Sequence, residues 1–275
     1  MALLAVALVA ATQSLAVGPT SMLYAVEVNR WGPDGYPGYP SGLDMIQGGT
    51  LTSSSANALS LDESAIAVSG DVRTLGVHQG EAGSLFDLSG NVLDHHAYTT
   101  PPGFGVGGQG PSIIDATSDG LYNYGVDLQT GNVIRMDRDW THTITLFSTN
   151  LGFAGISMNV ADGSFWVCGQ GDRVAHFSHG GAFISDFHTG LPGSYGLALD
   201  PADGTLWMQG TTYTHLAQYD QLGHRLQNVS YDIESWDQNG IFGMEFNLTP
   251  VTPEPASICC LALGSAALLR RRRNQ

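Results

Sequence analysis

Along residues 155–167 apolar and polar positions alternate, stop at an Asp-Gly pair and resume: Gly155-Ile156-Ser157-Met158-Asn159, then Asp162-Gly163, then Ser164-Phe165-Trp166-Val167. The phrase returns 41 residues later as Gly196-Leu197-Ala198-Leu199-Asp200, Asp203-Gly204 and Thr205-Leu206-Trp207-Met208. Ile156 and Met158 flank Ser157 as Leu197 and Leu199 flank Ala198, the period of two that a strand imposes. Asn159 and Asp200 suit a strand end because their side chains bond their own backbone two residues on, while Gly163 and Gly204 accept the positive φ of a tight hairpin. A second hairpin follows in each copy, from Val174-Ala175-His176-Phe177 to Phe183-Ile184-Ser185-Asp186-Phe187 and from Leu216-Ala217-Gln218-Tyr219 to Leu226-Gln227-Asn228-Val229. Each copy therefore predicts four short antiparallel strands, and a repeat of about 40 residues built this way predicts one blade of an all-β propeller.

The first-strand phrase recurs at Leu59-Ser60-Leu61-Asp62, at Ile113-Ile114-Asp115 and at Met244-Glu245-Phe246-Asn247, with strand-end Asp or Asn at 62, 115, 159, 200 and 247. The spacings are 53, 44, 41 and 47, and five first strands predict a propeller of about five four-stranded blades over residues 17–249. The last first strand has no successor, and Met22-Leu23-Tyr24-Ala25-Val26-Glu27-Val28 reads as a second strand without a first. These two orphans predict that the N- and C-terminal strands share a blade, which closes the ring and leaves no open sheet edge.

Composition narrows the function. The 36 Gly and 12 Pro, with no helix-length amphipathic run, fit one all-β domain. Net charge is −15 and all ten basic residues are Arg, four of them at 270–273; without those and Glu254, residues 17–253 hold 6 Arg against 24 acidic residues, net −18. So acidic a surface excludes nucleic-acid binding, which needs a basic footprint. The absence of Lys excludes Schiff-base and Ser-Lys chemistry.

The two ends read as processing signals. Leu3-Leu4-Ala5-Val6-Ala7-Leu8-Val9-Ala10-Ala11 has the length of a secretory apolar core, and Ser14-Leu15-Ala16 supplies small residues for signal peptidase, so residues 1–16 are expected to be a signal peptide. No basic residue precedes the run, which leaves a buried strand as the alternative. No Cys lies near the cleavage point, against a lipoprotein. At the other end Thr252-Pro253-Glu254-Pro255-Ala256-Ser257 is followed by apolar residues from Ile258 to Leu269 and by Arg270-Arg271-Arg272-Arg273. The apolar run, expected to be a short helix, would halt in the membrane with the Arg cluster on the cytoplasmic side. From Ala256 to Leu269 it has 14 residues, short for a permanent span.

Residues 250–275 resemble the PEP-CTERM sorting signal. That resemblance implies recognition of Pro253-Glu254-Pro255 by an exosortase, loss of the helix and of Arg270 to Arg273, and export to the cell surface or extracellular matrix after transient anchoring in the inner membrane. The repeats over residues 22–249 resemble those of NHL-type and related β-propellers, which implies the fold and, of itself, no activity.

Chemical motifs are few. Gly103-Phe104-Gly105-Val106-Gly107-Gly108 matches a dinucleotide-binding pattern, but Pro111 and an apolar strand follow where a helix is needed. Cys168, the only thiol expected to survive processing, reads as a small core residue. No metal-ligand spacing is present among the His, and His95-His96, as neighbours on a strand, are expected to divide between core and surface. No G-x-S-x-G occurs. Repeated Asp at strand ends would suit calcium, yet hairpin capping explains each of them, so no cofactor or metal is expected. The middle first-strand position reads Ser60, Ile113, Ser157, Ala198 and Glu245, which makes Glu245 the one candidate for catalysis, or else a partnered structural carboxylate.

Two functions of different class fit. One is a non-catalytic binding or matrix protein holding a polysaccharide or surface protein on the blade-connecting loops, through Tyr98, Tyr195, Tyr213, His215 and Trp236. The loop at residues 31–42, rich in aromatics, Gly and Pro, would stack on sugar or simply cover a blade edge. The other is a propeller hydrolase or lactonase with Glu245 near the central channel.

Overall fold

The computed structural model describes residues 17–27, 42–54, 63–76, 80–104, 111–150, 152–169, 171–191, 193–210, 212, 214–231 and 241–248. Within them the chain forms five four-stranded antiparallel sheets and no helix. The first sheet takes β1 (Leu23–Glu27), β2 (Gly42–Gln47) and β3 (Thr50–Ser54), and its innermost strand is the last of the chain, β20 (Ile241–Phe246), in the order β20-β1-β2-β3. The other blades are contiguous: β4 (Glu63–Val68), β5 (Val72–Gly76), β6 (Ala82–Phe86) and β7 (Val92–Thr99); β8 (Ile113–Ser118), β9 (Tyr122–Asp127), β10 (Asn132–Asp137) and β11 (Ile144–Ser148). Then come β12 (Phe153–Asn159), β13 (Ser164–Gly169), β14 (Arg173–Phe177) and β15 (Phe183–His188), and β16 (Leu197–Leu199), β17 (Leu206–Gln209), β18 (His215–Tyr219) and β19 (Arg225–Ser230). The fold is a five-bladed β-propeller, and the two orphan strands pair as expected, Leu23 opposite Phe246 and Tyr24 opposite Glu245.

Burial falls from the axis outward. Every residue of β4, β8 and β20 is buried, whereas β7, β11, β15 and β19 are mostly exposed. His95 and His96 both lie exposed on β7; an outermost strand has no core face to hide one of them, so the division expected from alternation does not occur. Blades pack through a large residue on the second strand: Trp166, Trp207, Tyr24 and Tyr124 sit opposite Ser157, Ala198, Glu245 and Thr117, respectively. In the second blade Arg73 holds that place, opposite Ala67. It is tied to Asp71 at 2.7 Å and packs over the Tyr98 ring. The crevice beside it is filled by Trp140, which is buried with Ala65, Ala67, Leu75 and Ile113. Trp140 stands where the other outer hairpins place Gly90, Gly181 or Gly223, donating to the carbonyl three residues back, and it holds φ 64° to do so.

The inner strand expected at residues 59–62 is displaced. Those residues lie outside the described ones, and β4 takes the inner place seven residues later, with Ala67 where Ser60 was expected. Its turn, Ser69-Gly70-Asp71, puts Ser69 where the later blades carry Asp119, Asn159 and Asp200 at the strand end, so a motif keyed to a strand-end Asp falls too early, on Asp62. Residues 17–21 dock under the last blade: Asp200 accepts the Thr20 and Ser21 amides at 3.0 Å and the Ser21 hydroxyl at 2.6 Å, and Gly18 donates to Gln227. Gly18 has φ 89°, and a Cβ there would fall 1.7 Å from the Gly48 carbonyl oxygen, so only glycine fits. The expected signal peptide at residues 1–16, residues 31–41 of the expected loop and the apolar tail lie outside the described residues, and Gly42, the last residue of that loop, begins β2.

Candidate functional site

The inner strands contact one another in a ring, β20, β4, β8, β12, β16 and back to β20. Two carboxylates occupy its centre in successive layers. In the first, the blades contribute Ala65, Asp115, Gly155, Gly196 and Gly243. The glycines are small because the next blade presses on them: added Cβ atoms would meet Tyr195 O at 3.0 Å, Phe242 O at 2.9 Å and Ser64 O at 2.2 Å, respectively. That leaves room for one side chain, and Asp115 takes it. Its Oδ1 accepts the amides of Ala116 and Met244, both at 3.0 Å, and its Oδ2 accepts those of Leu197 at 2.9 Å and Ile156 at 3.1 Å. One carboxylate thus gathers N–H groups from four inner strands.

Two residues further along each strand, the second layer is Ala67, Thr117, Ser157, Ala198 and Glu245. Both Glu245 oxygens lie 3.0 Å from the Ser157 hydroxyl, Oε1 also accepts the Phe246 amide at 2.9 Å, and the Thr117 hydroxyl is a further partner. These hydroxyls are themselves anchored, Ser157 Oγ accepting from Leu199 N at 2.9 Å and Thr117 Oγ1 from Met158 N at 3.1 Å. Glu245 is therefore the partnered carboxylate of this layer, whose members are Ala67 and Thr117 where the sequence pattern put Ser60 and Ile113.

Burial pushes both carboxyls well above the usual carboxylate range; the amides pull Asp115 back, Leu197 most of all, and the nearby Glu245 charge raises it again. Geometry assigns the proton. Each Asp115 oxygen faces two N–H donors and no acceptor, so a carboxyl hydrogen there would have nowhere to point. Glu245 faces two hydroxyls that accept as well as donate. When one charge remains, it sits on Asp115 and the proton on Glu245.

Asp115 was legible only as a strand-end Asp. The hairpin of its blade is in fact capped by Asp119, which accepts the Leu121 amide at 2.8 Å, and this second Asp, followed by Gly120, was the signal that Asp115 was not needed for the turn. Capping does explain Asn159 and Asp200, whose side chains accept the amides of Ala161 and Ala202. Among the described residues no group of three or more His, Cys, Asp or Glu converges as a metal site.

A Ser-His-Asp cluster, Ser164, His176 and Asp162, lies at the edge of the fourth blade. It is not a nucleophile: Ser164 Oγ donates to Asp162 at 2.6 Å and so receives from His176 Nε2 at 2.8 Å, the reverse of base activation. The next blade repeats the arrangement with Asp203, Thr205 and Gln218, Gln in place of His, which marks it as a hairpin cap.

Of the expected loop residues, the described ones, Tyr98, Tyr195 and His215, lie on one rim. Tyr98 lies near the end of β7, half-buried under Arg73; Tyr195 precedes β16 and stacks on Phe242 at 4.9 Å; His215 begins β18 and bonds Thr212 and Thr214. Tyr213 and Trp236 lie outside the described residues. Cys168 is buried in the core, its Sγ 3.4 Å from the Ser194 carbonyl oxygen.

The fold and these residues define a β-propeller whose axis is closed by its own hydrogen bonds. Residues 251–273 match the PEP-CTERM protein-sorting motif, which marks a chain exported and sorted at the membrane. No curated protein matches the chain. Among solved structures it is similar to a chain of the nidogen/laminin complex (TM-score 0.50, 11% identity, covering 83% of this chain and 99% of that one). It is also similar to TolB from Acinetobacter baumannii (TM-score 0.52, 12% identity, covering 82% and 66%). A streptogramin B lyase is more distant in shape (TM-score 0.41, 16% identity, covering 62% and 55%), so the chain spans about half the length of that enzyme. At these identities the likeness is one of fold, and the expected NHL-like propeller agrees with it. No helix among the described residues is long and apolar enough to cross a membrane.

Proposed function

We propose that this chain is a cell-surface or matrix protein, cut by signal peptidase and an exosortase during export, whose propeller binds a polysaccharide or another surface protein without turning it over. The observation that supports binding over turnover is the closed axis. A glycosidase needs two carboxylates that substrate can reach, and both Asp115 and Glu245 have 0% exposure. Their oxygens are occupied by amides and hydroxyls of the protein itself. The loop rim carries Tyr98, Tyr195 and His215, the sequence adds Tyr213 and Trp236 to the expected binding set, and aromatic rings beside polar groups suit weak, repeated contact with sugar.

Intact-mass spectrometry of the protein from its native envelope is expected to show a chain that begins near Val17 and lacks Arg270 to Arg273. Glycan-array or exopolysaccharide pull-down signal is expected to weaken in Trp236→Ala and to persist in Glu245→Gln. Turnover of a polysaccharide or lactone, lost in Glu245→Gln, would replace this reading with the hydrolase.

A further inference from the structure

Both ends of the propeller leave it on the same face. β20 finishes at Phe246 directly opposite Leu23, where β1 begins. On that side lie the last hairpin of every blade and the first hairpin of the second to fifth, among them the turns at Gly120, Gly163, Gly204 and Gly223. Residues 17–21 are pinned to it: Pro19 O accepts from Gly48 N in the β2–β3 turn, and Asp200 holds Thr20 and Ser21. The opposite rim, one six-residue strand or about 20 Å away, carries Tyr195, Thr212 and His215.

Nine residues, or ten Cα–Cα steps, lie between Leu248 and Ile258, where the apolar run begins. Fully extended they reach about 35 Å, and as a flexible chain they average about 20 Å. A tail held in the bilayer therefore keeps the hairpin face nearer the lipid than the loop rim. That face does not adsorb: Asp87, Asp162, Asp203 and Asp220 sit in its turns, and anionic lipid repels them within a Debye length.

We propose that, until the tail is cut, the hairpin face is the membrane-facing side of the anchored chain, held by its tether and not by affinity, so that the loop rim faces away from the lipid. The proposal rests on the tail acting as a membrane anchor. Its test places a donor fluorophore at Leu222→Cys, a hairpin residue 77% exposed, or at Thr212→Cys on the loop rim. Both are made in the full chain carrying Cys259→Ala and Cys260→Ala, reconstituted into vesicles of phosphatidylglycerol and phosphatidylethanolamine doped with acceptor lipid. Energy transfer is expected to be severalfold stronger from position 222, and a chain ending at Leu248 is expected to show none. A chain that floats with the vesicles but transfers equally or better from position 212 overturns the orientation alone. A full chain that fails to float overturns the anchor beneath it. Strong transfer from the chain ending at Leu248 overturns the claim that the face is held only by its tether.

Discussion

Asp115 and Glu245 lie one layer apart on the same axis and are held in opposite ways. Asp115 receives four backbone amides that cannot turn away, because each belongs to an inner strand fixed by its own blade. Glu245 is met chiefly by the Ser157 and Thr117 hydroxyls, which rotate and can either give or take a hydrogen. Similar burial thus yields one group that tolerates no change of charge or donor pattern and another that does. A buried carboxylate in a propeller is a catalytic candidate only when some of its valence is left for a ligand, and here the fold consumes all of it in the first layer.

Three measurements test the contrast. Asp115→Asn turns an NH2 toward two amides it should accept, and leaving buried donors unmet costs about 1–3 kcal/mol each; a loss of about 4 kcal/mol is expected, or a melting temperature roughly 10 °C lower. Scanning calorimetry that finds the variant within a degree of the parent would mean the four amides have other partners. Glu245→Gln keeps an acceptor for the hydroxyls and is expected to cost about 1 kcal/mol or less. A loss as large as that of Asp115→Asn would erase the distinction between the layers.

The smallest effect is in pH. Both axis carboxyls are raised in the fold, so above the ordinary carboxylate range the folded state holds more protons than the unfolded one. Their contribution is therefore greatest in acid and is lost as pH rises from that range toward the folded values. Exposed Asp172 and Asp220, held low by hydrogen bonds from His188 and His224, act with the opposite sign as pH falls further. The difference in melting temperature between parent and Glu245→Gln is expected to shrink as pH is raised from 5 to 8, and a difference that grows would reverse the assignment of the proton.

What the sequence disclosed depended on how regular each blade is. The fourth and fifth blades share turn length, a Trp on the second strand and a Gly at the axis, and their strands fall where the repeat put them. The second blade departs at all three positions, with Ala65 for Gly, Arg73 for Trp and a shorter turn. Its inner strand was misplaced because Ser69 stands at its end where theirs carry Asn159 and Asp200. Shared closure by the end strands was legible because an unpartnered strand at each end has few other solutions. The convergence on Asp115 was not: its donors come from residues 116, 156, 197 and 244, and a main-chain N–H looks the same in every residue. Trp140 was missed because a left-handed turn is read from glycine, and there the need to fill a crevice outweighed about 1–3 kcal/mol of backbone strain.

The pairing of β1 with β20 joins positions 223 residues apart, Leu23 with Phe246, whereas the second to fifth blades each form from adjacent sequence. A chain threaded out of the cell from its N-terminus can therefore assemble those four blades as they emerge, while β1 waits with one edge bare. The contact that ends the wait is both the most distant in sequence and the last to arrive, the kind that sets a slow folding rate. Closure thereby works as a length check: a product truncated before residue 241 keeps an open strand edge, which invites aggregation and degradation, and only a full-length chain conceals it.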